Sequence, residues 1–338
     1  MIAYDKGFTT DAIDQPNIIG ELDSKIIQTI KNQLNENDCF INTTWIQLDT
    51  DLKQTIRLSL EQGKRLICYS GADWNNKFSH EEENTERILE FKRTWQFIEG
   101  SGCEVVHIGN SRGKHYFSFW LEFIAQHKKN FKTYNVWDFD TPLKTYMCLN
   151  RKPHRHRREL FNCLKNNNLL EYGYVSLGDV ENPVLLDADI VNAPGDNAVS
   201  GNVGITNDIT SLGHNANWNN HFLNIVSETT TYTDVFITEK TFKPIIGERP
   251  FVILGDNNIY KQLKEWGFDT FDDVFGTGYE NPNYKERMDW IVETVARFKD
   301  DTHLHLLLED LKPRLQYNSN QLTTAIQINR KALQTCIK

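Results

Sequence analysis

The sequence predicts an α/β protein made of two Rossmann-like domains that face a cleft. Three observations carry this expectation. Short apolar runs of strand length alternate with longer stretches whose apolar residues recur at helical spacing, which favours βα units over a β-sandwich. The chain has 338 residues, enough for about two domains of ordinary size. Polar and basic residues gather just after the strand-like runs of the second half, where open α/β sheets hold ligands. A single doubly wound domain is the alternative.

The elements follow in order. "ELDSKIIQTIKNQLN", residues 21–35, sets Ile26, Ile27, Ile30 and Leu34 near one side of a helix. "CFINTTWIQL" reads as a strand, "DLKQTIRLSLEQG" as an amphipathic helix stopped by glycine, and "RLICYS" as the next strand. Ser79 and Glu82 have capping-box spacing before a long helix that ends near Gly100. "CEVVHIG" and "YFSFWLEFIAQHKK" give another strand and helix, and "YNVWDFDTPLK" forms the boundary with the second half. There "TYMCLN" and "YGYVSLG" flank a helix expected over 155–169, and "FLNIVSE" and "PFVILG" flank "TEKTFKPIIGE". Residues 181–220 are rich in Asn, Gly and Asp and read as an insertion, a flap or a mobile loop. Helices are expected over 285–299 and 315–335. The domain expectation is 1–140, 141–315, and 316–338 as a helix packing back on the first domain.

Composition narrows the function classes. Apolar residues make up 39% of the chain and aromatics 12%, enough for substantial cores, so wholesale disorder is excluded. A net charge of −9 argues against a broad electrostatic grip on nucleic acid. The cysteines form no CxxC pair, which suits a reducing, cytoplasmic setting. No apolar run approaches the roughly 18 residues of a membrane span. The first residues do not read as a secretory leader.

Two places carry candidate chemistry. After the strand ending at Asn150 comes a basic cluster, with Arg151, Lys152, Arg155, Arg157 and Arg158, entering a helix. Cations oppose the dipole at a helix start, so their concentration there points to an anionic ligand. Arginine clamps phosphate with two donors. The second place is "TEK": Thr238 is a good N-cap, the amides behind it suit phosphate, Lys240 adds charge, and Glu239 can accept from two sugar hydroxyls. The bland alternative is a solvated basic turn and an ordinary acidic first turn. No Walker A run, GxGxxG turn or HExxH motif is present, so neither a tightly bound cofactor nor a catalytic metal is expected.

Two passages resemble glycosyltransferases of the GT-B kind, especially the α-1,3-fucosyltransferase family. They are "YMCLNRKPHRHRRELFNCLKNNNLLEYGYVSLG", starting at Tyr146, and "LNIVSETTTYTDVFITEKTFKPIIGERPFVILG", starting at Leu223. The resemblance covers about residues 144–256. It implies transfer of a sugar from a nucleoside diphosphate sugar, with a GDP-sugar favoured, to an acceptor hydroxyl, inverting and without metal. It assigns the donor diphosphate to Arg157 or Arg158, with Arg155 a further match and Asn150 beside them. Glu239 and Lys240 fall to the ribose and phosphates, and Glu228 lies beside the donor sugar. The chain departs from the family at "FKPIIGERPFV", where an Ala-rich helix and "GxVPV" are common, and Pro244 is expected to shorten or kink the helix. "GFDTFDDVF", starting at Gly267, resembles segments of other glycosyltransferase-like proteins and is a candidate cover for the cleft.

A first-half carboxylate is expected to deprotonate the acceptor. Asp73 is favoured because it follows "LICYSGA" at the end of a strand; Glu104 and Asp138 are the alternatives. The acceptor stays open among glycan, protein, lipid and nucleic acid. The competing readings are a noncatalytic nucleotide- or glycan-binding protein, and a nucleic-acid-binding or nucleic-acid-modifying protein.

Overall fold

The computed structural model describes residues 2–5, 18–43, 48–71, 93–109, 116–131, 135–150, 153–178, 184, 209–231 and 235–337. Among them run two four-stranded parallel sheets, each strand followed by helix. The chain divides into one unit of Met1–Phe123 with Gln327–Lys338 and a second of Ile124–Ile326. The division thus falls at residue 123 rather than near 140.

The first unit holds β1 (Ile2–Tyr4), β2 (Asp38–Asn42), β3 (Arg65–Tyr69) and β4 (Val105–Ile108), in that spatial order. Helices cover a parallel sheet on both faces, so its strands read as continuous apolar runs. Cys39, Phe40 and Ile41 on β2, and Leu66, Ile67 and Cys68 on β3, are fully buried. Helix α1 (Ile18–Lys31) follows β1, and α2 (Thr50–Glu61) follows β2. Asp49 caps α2 by accepting from the Leu52 amide at 2.8 Å, and Tyr4 Oη donates to the same carboxylate at 3.0 Å. Gly63, at φ +63°, ends that helical segment as its position suggests. Residues 93–99 are helical (α3), and α4 (Phe119–Phe131) follows β4. At its start, Ser118 and Asn329 exchange hydrogen bonds of 2.7 and 2.9 Å, with Arg330 paired to Glu122 at 3.0 Å. These bonds hold the end of the last helix, α11 (Leu304–Ile337), within the first unit. The capping-box helix at Ser79 lies outside the described residues.

The second unit holds β5 (Lys144–Asn150), β6 (Gly173–Leu177), β7 (His221–Ser227) and β8 (Phe251–Leu254), in the order β6-β5-β7-β8. Helix α5 (Arg155–Asn166) links β5 to β6, a short α6 (Asn215–Asn219) precedes β7, and α7 (Glu239–Ile246) lies between β7 and β8. The helices α8 (Ile259–Glu265), α9 (Asp272–Phe275) and α10 (Tyr284–Phe298) follow. The N-terminal β1 and the short α6, α8 and α9 were not expected from periodicity. Each spans too few residues for a pattern to repeat. Pro244 lies inside α7, which is only 8 residues long, in keeping with the shortening its missing N–H imposes.

The candidate cover at Gly267 is tied down within its own unit. Arg314 pairs with Asp269 at 2.5 Å and with Asp273 at 2.7 Å, and Asn318 donates to the Asp269 carbonyl at 2.8 Å. Gly267 itself sits at φ +83°, with Gln321 only 2.5 Å from the place of a β-carbon.

A buried arginine pins the amino ends of this sheet. Arg249 is 0% exposed and donates to the carbonyls of His221, Glu248, Val136 and Asn219 at 2.6–3.1 Å. Only a guanidinium has enough donors in one plane for such a set. Arg249→Ala is expected to lower stability by about 3 kcal/mol or more by leaving buried carbonyls unpaired. Arg249→Lys should recover less than half of that loss. Urea unfolding of the three proteins measures it, and equal stability would show the carbonyls are satisfied otherwise.

Candidate functional site

The order β6-β5-β7-β8 sets a topological switch point between β5 and β7, the kind of place where open α/β sheets hold ligands. From β5 the chain winds to β6 on one side, then returns to lay β7 on the other side of β5. Connections therefore leave in opposite directions from the carboxyl ends of β5 and β7, and a crevice opens between them. The residues at those ends are Asn150 on β5, and Ser227 with Glu228 on β7.

Helix α5 carries Arg155, Arg157 and Arg158 of the basic cluster and sorts them, while Arg151 and Lys152 lie outside the described residues. Arg157 is buried, and its Nη2 donates to the carbonyls of Ser227 at 3.1 Å and Glu228 at 3.3 Å. His156 Nε2 donates to the same Glu228 carbonyl at 2.8 Å. The two side chains tie α5 to the end of β7 and leave a guanidinium charge beside the crevice. Arg155 is instead turned to Glu159, at 2.9 Å, which also accepts from Tyr284 Oη at 2.6 Å. Glu159 thus joins α5 to α10. Arg158 is exposed. His154, the residue before α5, makes no side-chain cap hydrogen bond, and its carbonyl accepts from the amides of Arg157 and Arg158 at 2.9 and 3.0 Å.

The start of α7 is arranged differently from the sequence expectation. Glu228 is 0% exposed, and its carboxylate accepts from the Thr238 amide at 3.0 Å, Thr238 Oγ1 at 2.7 Å and Thr241 Oγ1 at 2.6 Å. The amides of Lys240 and Thr241 are held by Thr238, through Oγ1 at 3.4 Å and the carbonyl at 3.2 Å. An internal carboxylate thus occupies the anion position of this helix. The amides of Thr238, Lys240 and Thr241 are therefore taken, against the expectation that this helix start suits phosphate. Glu228, expected beside the donor sugar, is engaged in holding the helix.

Glu239 and Lys240 form a pair at 3.2 Å, with Lys240 Nζ also donating to Thr238 Oγ1 at 3.0 Å. Burial works against ionisation of Glu239, yet Lys240 and Lys243 hold its carboxyl below the ordinary value. It is therefore an acceptor at neutral pH.

Two buried polar atoms at the crevice have no hydrogen-bond partner: Asn150 Oδ1 and Ser227 Oγ. Sequence reading gave Asn150 a place in the candidate site, and it met Ser227 only as the neighbour of Glu228, with no role of its own. The signal that could have found it was its place as the last residue of an apolar strand, one before Glu228.

Of the proposed bases, Asp73 lies outside the described residues. Glu104 is exposed and precedes β4, at the amino end of the first sheet, where its carbonyl receives the Leu66 amide at 2.8 Å. Asp138 is exposed and its carbonyl accepts from Asn219, the residue two before β7, at 2.6 Å. That places it at the amino end of the second sheet. Both alternatives stand at the wrong end of their sheets for crevice chemistry. At the carboxyl end of β1, Asp5 pairs with Lys31 at 2.6 Å and accepts from Asn42 at 3.1 Å, an acid the sequence reading passed over.

Comparison with known protein families, curated proteins and solved structures finds no match. Among the described residues no group of His, Cys, Asp and Glu is placed to hold a metal ion. No described helix is long and apolar enough to cross a membrane.

Two predictions test this geometry. Glu228→Ala should lower stability by about 3 kcal/mol, because buried donors lose their acceptor. Glu228→Gln should cost about half as much, since the amide oxygen still accepts and a threonine hydroxyl can turn to accept from the amide nitrogen. Chemical unfolding compares them, and equal stability of all three would remove the carboxylate from the structural role.

The second concerns pH. Burial and the nearby Arg157 push His156 down to about 3; burial and Arg249 push His221 to about 3. Both are neutral when folded and protonate in the unfolded chain below about 6.5. The unfolded state then binds more protons, so stability is full above pH 6.5 and falls as pH drops toward 3. The slope approaches about 1.4 kcal/mol per pH unit for each histidine. His156→Gln, which keeps a donor for the Glu228 carbonyl, should remove about one histidine's share of that slope between pH 6 and 4.5. An unchanged slope would show that His156 is charged when folded.

Proposed function

We propose that the protein is a glycosyltransferase of GT-B type whose second unit binds a nucleoside diphosphate sugar. The observation that carries the reading is the meeting, at the β5–β7 switch point, of the buried Arg157 guanidinium with buried polar groups that lack partners. Arg157, Arg158 and Lys240 supply positive potential for the diphosphate. Glu239 supplies an ionised acceptor for paired ribose hydroxyls. The fucosyltransferase-like order of the two passages supports a sugar nucleotide, GDP-linked by preference, over a simple phosphate.

In the reaction the acceptor hydroxyl oxygen forms a bond to the sugar's anomeric carbon as the bond from that carbon to the diphosphate oxygen breaks. The electron pair leaves with the diphosphate, and the positive groups stabilise the charge that develops there. A base takes the acceptor proton. At the crevice Glu228 and Glu239 are both engaged, so the base comes from elsewhere in the chain. Asp73, four residues past the end of β3, is the proposed base, with inversion at the anomeric carbon. The same engagement of both acids supports a second reading, a noncatalytic binder of the same ligand. Product formation with turnover separates the two.

Calorimetry with GDP, UDP, ADP, CDP and TDP tests the donor site. Saturable binding of at least one is expected, and binding of none by folded protein ends the proposal. Lys240→Met should weaken that binding about tenfold or more, the scale of a charge-assisted hydrogen bond. Its stability should also fall, because the buried Glu239 carboxylate loses its partner, so binding is compared at a temperature where both proteins are folded. Nucleotide-dependent transfer should persist in the presence of a chelator. Complete loss, restored by one divalent ion, would require a metal in the mechanism.

A further inference from the structure

We infer that Asn150 and Ser227 together hold a sugar hydroxyl of the phosphorylated ligand, so that the crevice reads a sugar beside its phosphate. The inference rests on the donor-site reading above and deepens it. Asn150 ends β5 and Ser227 ends β7. The β5–β7 register runs Lys144↔His221, Tyr146↔Leu223 and Met147↔Asn224, and carried on it sets Asn150 across from Ser227. In a parallel pair, residues in register point to the same face of the sheet. The two side chains are therefore neighbours on one side of the switch point.

Both are nearly inaccessible, Asn150 at 1% and Ser227 at 4% exposure, yet Asn150 Oδ1 and Ser227 Oγ have no hydrogen-bond partner. The Asn150 amide nitrogen meets only Cys148 Sγ, at 3.3 Å, a weak acceptor. Unpaired buried polar atoms are rare because they are costly, and two side by side at a ligand crevice mark a place that a ligand group completes.

The chemistry of the pair selects that group. An amide oxygen only accepts, whereas a serine hydroxyl donates and accepts. A phosphate oxygen would be repelled by Asn150 Oδ1. A hydroxyl fits, giving its hydrogen to Asn150 and accepting from Ser227. The phosphate belongs a few bonds away, where Arg157 and the α5 start lie. The hydroxyl can come from the ribose or from the transferred sugar, and the ligand series separates them.

Ser227→Ala and Asn150→Ala are compared with the parent chain by calorimetry against pyrophosphate, GDP and GDP-mannose, and against UDP and UDP-glucose if guanine is not the preferred base. Each variant is expected to lose about three- to tenfold in affinity, one neutral hydrogen bond, for the sugar-bearing ligands. Pyrophosphate affinity should not change. Loss for the nucleoside diphosphate assigns the ribose hydroxyl, and loss confined to the sugar nucleotide assigns the transferred sugar. Melting of Ser227→Ala should stay the same or rise, since an unpaired buried hydroxyl is removed. Equal losses for pyrophosphate and the sugar-bearing ligands overturn the inference. Unchanged affinities for all ligands overturn it also, and leave the donor reading intact. Failure of the parent chain to bind any nucleotide overturns both.

Discussion

The carboxylate of Glu228 is the interaction on which the second unit's crevice depends. It sits at the end of β7 and reaches the start of α7, where it satisfies the Thr238 amide and the hydroxyls of Thr238 and Thr241. A helix that starts inside a protein must find acceptors for its first amides. Here the acceptor is a fixed negative charge, which also suits the positive end of the helix dipole. The arrangement fixes the direction in which Glu239 and Lys240 leave the helix. It also separates two helix starts: α7 meets an internal carboxylate, whereas α5 opens on arginines and has no acid in its first turn.

The backbone of Glu228 carries the second half of the same junction. Its carbonyl accepts from His156 and Arg157, and its amide donates to Leu254 on β8 at 2.9 Å. One residue thus links β7, β8, α5 and α7 at the mouth of the crevice. Burial keeps His156 neutral beside Arg157. The local charge is then set by the guanidinium, and it stays constant across the physiological range.

Much of the fold was legible because its signals are local and repeat. The apolar runs "RLICYS", "TYMCLN" and "PFVILG" gave strands to within a residue or so, since a strand buried on both faces leaves little choice of residue. Helices at 21–35 and 285–299 followed from apolar spacing and were observed at Ile18–Lys31 and Tyr284–Phe298. The three-residue β1 was invisible because "IAY" is too short to show a period. Glu104 and Asp138 were plausible bases only while the ends of the sheets were unassigned. Strand direction moves both to amino ends, away from ligand chemistry.

The sequence by itself determined the α/β class, most strand positions, the basic entry to α5 and the Thr-Glu-Lys start of α7. These depend on composition and spacing over a few residues. Only the tertiary structure decided what each charged group does, because partners come from distant segments. Arg157 and Arg155 stand two apart in one basic run, yet one turns inward to β7 and the other to Glu159 beside α10. Glu228 lies ten residues before Thr238, and nothing in that spacing announces that it fills the helix start. Asn150 and Ser227 became neighbours only when β7 paired with β5, for strand order is set by which apolar faces pack together and not by proximity along the chain.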